Sequence, residues 1–240
     1  MSEQQPITFS PATRETDIAD EIAERALDHV PHSYVDHVLT LHETGRTAAV
    51  QDFVQSVRQL LRDFTICHDL ALSQLVRANK STAATQKLLL AGGLETLLGF
   101  TGTKLATLDD VFRTYILGQI QLKSITSLGM PEPGVNCLRN RMVNLAGSER
   151  AGVGLGAVAA IYELCIASLP HVARIAYDPN KHMSDIRQPM TPYALLLREA
   201  LRDVAQGTSA RRAVAFGATQ AFQLSDDLFT FLKSRTGRSN

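Results

Sequence analysis

Apolar residues recur every three or four positions along most of this chain. In "DIADEIAERALDHV", Ile18, Ile22, Leu27 and Val30 fall near one helical face, and acidic residues crowd the first turn. Carboxylates there complement the positive end of the helix dipole. Pro31 interrupts the pattern, and a second helix is expected from Ser33 to about His42. "ETGR" then reads as a turn. From Ala48 to about Ala78 a long segment keeps a 3.6-residue period through Phe53, Val57, Leu60, Leu61, Phe64, Cys67, Leu70 and Leu75. "NKST" breaks it and offers Ser81 or Thr82 as an N-cap. "ATQKLLLAGGLETLLGF" is apolar nearly all round, which predicts a buried helix with a kink or close contact at Gly92-Gly93.

The second half continues in the same manner. "TLDDVF" starts a helix with Thr107 as cap, and Asp109 and Asp110 suit its dipole. "LGMPEPGV" reads as a loop and "NCLRNRMVNLAG" as a helix. In "AGVGLGAVAAIYELCIASL" the small residues Gly154, Gly156, Ala157, Ala159 and Ala160 let neighbouring backbones approach. This helix is expected to be among the most buried, and to support a homo- or hetero-oligomer with a helical partner. Its glycine spacing is not that of a dinucleotide-binding turn, and no strand pattern precedes it. Tyr177 to Pro192 has no apolar face and is expected to be a protease-sensitive loop. Two helices close the chain, roughly Pro192–Ala205 and Ala210–Leu232. No stretch alternates with period two for long. The expected class is all-α: a flexible arm over 1–15, then one domain over 16–240 with about eight to ten helices.

Composition narrows the functional classes. Lys plus Arg and Asp plus Glu both number 24, so the formal charge is +0. A nucleic-acid binder is expected to carry a basic excess or stripe, and none is visible. Cys67, Cys137 and Cys165 are odd in number and lack CxxC spacing, which argues against disulfides and structural zinc. "MSEQQPITFSPATRETD" has no apolar core of a signal peptide, and no window is long enough to span a membrane, so the cytoplasm is the expected location.

Candidate chemistry is sparse. His29, His32, His37 and His42 lie close in sequence, but their gaps do not match the i,i+4 pairs that hold metals on helices. They read as a polar helix surface. Cys67 and His68 are adjacent and point about 100° apart on a helix, which disfavours a nucleophile–base pair. The stretch "QAFQLSDDLF" is the most informative. It sets Asp226 and Asp227 in an apolar segment, with Gln223 one turn earlier. Such carboxylates can hold Mg²⁺ while a diphosphate completes its shell. They can equally cap a contact or face solvent.

This stretch resembles the second aspartate-rich motif of trans-isoprenyl diphosphate synthases, typically AFQxxDDxxD. "ICHDLALSQLVRANKST" is similar to that family's first motif, "LLLAGGLETLLGF" to its LAGD helix, "ILGQIQL" to its Gly-Gln helix and "ERAGVGLGA" to its Lys-Thr segment. The resemblance implies an isoprenoid-synthase-like bundle. Asp226, Asp227 and Asp69 would hold Mg²⁺, and Gln223, Arg77 and Gln119 would contact a prenyl diphosphate. Several family positions differ. Leu70 and Ser73 stand where two acids belong, Ala78 replaces the second arginine, Gly93 an aspartate and Thr230 the last aspartate. These losses imply a non-catalytic subunit or modulator of a prenyl synthase, or an atypical prenyl-transfer enzyme. "LGMPEPGVNCLRNRMVNLA" is also similar to a helix region of phycobiliprotein β subunits, although no attachment cysteine precedes "QKLLLAGG". The alternative class is a non-enzymatic helical interaction or assembly protein that oligomerises through its small-residue helices.

Overall fold

The computed structural model describes residues 17–45, 67–91, 133–172 and 194–236. The arm over 1–15, the helix start at Thr107, Gln119, Gly92-Gly93 and the loop from Tyr177 to Pro192 lie outside the described residues. Helix α1 spans Ile18–Asp28. Its start is fixed by Asp17, whose Oδ1 accepts from Ala19 N–H at 2.9 Å and whose carbonyl accepts from Glu21 N–H at 2.9 Å. Ile18, Ala19, Ile22 and Ala26 are buried, while Leu27 is 61% exposed. Leu27 was expected inside; the face that docks turns Ala26 inward, about 100° away. Pro31 starts the next helix as well as ending the first: its carbonyl accepts from Tyr34 and Val35 N–H. Helix α2 follows as His32–Glu43.

Helix α3, described over 67–77, ends in a Schellman motif. Asn79 takes φ 53°, its N–H donates to Val76 O, and Lys80 N–H donates to Leu75 O. Thr82 is the cap of α4, Ala83–Ala91. Its Oγ1 accepts from Thr85 N–H, and Thr85 Oγ1 accepts in return from Thr82 N–H at 2.6 Å. Helix α5 is Pro133–Ala146. Pro133, expected in a loop, is its first helical residue, where its missing N–H has no partner to lose. Helix α6 is Val153–Val172, α7 is described over 194–204, and α8 is Thr208–Thr236. Among the described residues there are helices and no strands, so the all-α class holds. None of these helices is long and apolar enough to cross a membrane.

The core forms around α6, whose residues 153–160 are all buried. Glycine decides the closest approach, because α6 and α8 each offer one to the other's backbone. A β-carbon at Gly156 would lie 2.0 Å from Val214 O, and one at Gly217 would lie 1.9 Å from Val153 O. Gly154 does the same toward α5, 2.2 Å from Ala146 O, with Ala71 of α3 beside it. Ile22, Leu72, Leu88, Leu155, Leu201 and Phe222 join α1, α3, α4, α6, α7 and α8 in one apolar cluster. The small-residue helix is thus deeply buried, as its composition predicts. It is covered by the chain's own helices, so this stripe is not the surface it was expected to offer a partner.

Candidate functional site

The two aspartates of "QAFQLSDDLF" sit on α8, beside α1. These helices run in the same direction along a seam of polar rungs. Arg211 Nη2 donates to Glu21 Oε2 at 2.9 Å, Arg25 Nη1 to Thr219 Oγ1 at 3.0 Å, and His29 Nδ1 lies 2.8 Å from Asp226 Oδ2. Phe222 is fully buried between the last two rungs. The His29 ring stacks on it at 4.6 Å and 2°, and the Arg25 guanidinium carbon lies 5.6 Å from its centre. The geometry follows from helical spacing. Arg25 and His29 are one turn apart on α1, and Phe222 and Asp226 are one turn apart on α8, so the pairs interleave.

Asp227 faces another way. Consecutive helical side chains diverge by about 100°, and Asp227 Oδ2 lies 3.7 Å from Arg141 Nη1 on α5. Asp226 is 49% and Asp227 59% exposed, so neither sits in the low-dielectric pocket a metal–diphosphate cluster needs. Gln223 is exposed and accepts from Gln220 Nε2 at 2.9 Å. Asp69, on α3, is half-buried with Oδ1 3.4 Å from Nδ1 of the buried His68, and Arg77 is exposed at the end of the same helix. Among the described residues no three His, Cys, Asp or Glu side chains form a group that could hold a metal ion. Asp69 therefore does not join Asp226 and Asp227 in such a group, while Gln223 does share their helix.

Three further features lay outside the sequence reading. The first is an ionic clasp at the start of α1. Asp17 pairs with Arg202 and Asp20 with Arg198 at 3.5 Å, and Arg198 Nε donates to Glu163 Oε1 at 3.1 Å. The Glu163 side chain is 8% exposed. Burial pushes the Asp17 carboxyl up, but the Ala19 N–H and Arg202 outweigh it and hold the group below its usual range. The hydrogen bond that Arg198 donates to Glu163 holds the guanidinium more firmly protonated, against the effect of burial. The signal for this clasp was a lone acid in the apolar run "AAIYELCIA". The second feature is the contact between His32 and His171, which meet edge to face at 4.1 Å. The third is the pair Tyr162 and Cys165: burial raises both, the Cys165 thiol to about 11.

A model described as "Family of unknown function (DUF6975)" matches residues 123–239. That stretch contains α5 to α8, including Asp226 and Asp227, and leaves α1 and its His29 outside. No curated protein and no solved structure matches the chain.

Proposed function

We propose that this protein is a non-enzymatic helical interaction protein, in which the Asp226–Asp227 pair joins helices instead of holding a metal diphosphate. One observation carries the reading: Asp226 is engaged by His29 at 2.8 Å while its neighbour turns to Arg141 on the opposite flank. A carboxylate already hydrogen-bonded to an imidazole, with its neighbour pointing elsewhere, makes a poor bidentate seat for Mg²⁺. The polar side chains of the α1–α8 seam likewise bond to one another. The reading favours a partner that binds the outside of the bundle, a second copy or another helical protein.

The resemblance to prenyl synthases supports a competing reading, a degenerate subunit or an atypical prenyl-transfer enzyme using Mg²⁺. It needs an acid from α3 to meet the acids of α8. Calorimetric titration with a prenyl diphosphate and Mg²⁺ separates the two. The interaction reading expects no saturable heat. A saturable one-to-one heat that Asp227→Asn abolishes would install the prenyl-diphosphate reading in its place. Sedimentation equilibrium reads self-association directly, as an average mass that rises with concentration.

A further inference from the structure

The histidine cluster of the first two helices separates in the fold. His29 turns to Asp226, whereas His32, the first residue of α2, meets His171 in the last turn of α6. The two rings are 139 residues apart in sequence, the difference between positions 171 and 32, and only 4.1 Å apart in space. We propose that His32 and His171 together chelate a Zn²⁺-type divalent ion, clipping the start of α2 to the end of α6.

Neutral imidazole is a ligand for zinc, copper and nickel, and two rings from different helices supply two coordination positions. With zinc–nitrogen bonds of about 2.0–2.1 Å and near-tetrahedral angles, the ring centres stand roughly 5.2 Å apart. The observed rings need to open by roughly 1 Å and turn out of their edge-to-face contact so that one nitrogen of each faces the ion. His32 is exposed and His171 half-buried, so the outer ring has room to rotate and the inner one is held in place. The site is open to water, which completes the shell, since no third His, Cys, Asp or Glu forms a group with them among the described residues. The electrostatics also lean toward a cation. The carbonyl end of α6 lies at His171, and Asp36 sits one turn on from His32 along α2. The positive end of α2 at His32 opposes this, and it is the outer, more solvated partner.

The ion binds only where both helices are docked, so it stabilises the folded chain by mass action. The experiment melts the full-length protein, stripped with a chelator, in increasing Zn²⁺, with Mg²⁺ as the oxygen-seeking control. Zn²⁺ at about ten times its dissociation constant is expected to raise the midpoint by roughly 3–6 °C for a chain of this size. Mg²⁺ should leave it unchanged. His32→Ala and His171→Ala should each remove the zinc shift, His37→Ala should keep it, and His32→Cys should restore a ligand and the shift. If His171→Ala fails to fold, the exposed His32 position carries the comparison alone. Absence of a zinc shift, or a shift that survives His32→Ala, overturns the site. The rings would then be only an edge-to-face contact.

Discussion

At the scale of single residues, the chain's chemistry is set by where each side chain lands. Cys165 shows this most directly. Its thiol is raised from 9.0 to about 11 by burial, so at pH 8 only about one molecule in a thousand carries the thiolate. Cys137 is exposed. Alkylation by iodoacetamide at pH 8, followed by mass spectrometry, should label Cys137 at least tenfold faster (order of magnitude). Cys165 is half-buried, so comparable labelling of both would mean that its thiol is not held high. The same group links stability to pH. Its folded value lies above its unfolded one, so its contribution is complete below about 9 and is lost as pH rises toward 11. Midpoints measured between pH 8 and 11 should fall more steeply than those of Cys165→Ala. Little of this was legible beforehand, because sequence spacing says which face a residue shares but not how deep that face lies. Asp226 and Asp227 illustrate the limit. Their place on an apolar helix was readable, yet their partners His29 and Arg141 come from helices distant in sequence.

At the scale of helices, most boundaries were readable and the packing only partly so. Pro31 breaks the pattern where it was expected to, and Thr82, one of two caps the sequence offered, caps α4, while Asp17 caps α1 without having been singled out. Pro133 was misplaced because a proline reads as a loop residue until its neighbours show it to be a first-turn residue. The small residues of α6 correctly foretold a close approach. They did not by themselves say which helix approaches, although α8 carries a matching stripe at helical spacing in Ala213, Gly217 and Ala221. The geometry makes a firm prediction. Gly156→Ala and Gly217→Ala each drive a methyl group into a carbonyl oxygen of the facing backbone, which cannot rotate away. Each should cost about 3 kcal/mol, measured by urea unfolding. Gly207→Ala meets open space and only the strain of φ +84°, so it should cost about 1 kcal/mol. Equal costs at Gly156 and Gly207 would contradict the backbone-to-backbone crossing.

At the scale of the whole molecule, α1 is the element that ties the parts together. Its start is clasped by arginines of α7, its middle feeds the core, and its end stacks His29 on Phe222 of α8. The clasp should be felt in acid. Asp17 is held below its usual value of 3.8, so its contribution is present above that value and is lost as pH falls through the folded one. The gap in midpoint between the parent and Asp17→Asn should therefore be open at pH 6 and narrow as the pH falls below 3.8. Glu163→Gln, which leaves Arg198 without its buried charge partner, should cost about 1–2 kcal/mol after allowing for the exposure of the arginine. The central claim is that Asp226 is a joint between α1 and α8. Thermal melting of the parent and Asp226→Asn, each with and without Mg²⁺ plus a prenyl diphosphate, tests it most directly. The joint predicts that Asp226→Asn melts lower with no ligand present, by about 0.5–1 kcal/mol for a pair this exposed, and that the ligand moves neither midpoint. An Asp226→Asn protein as stable as its parent, together with a ligand-induced rise confined to the parent, would contradict it.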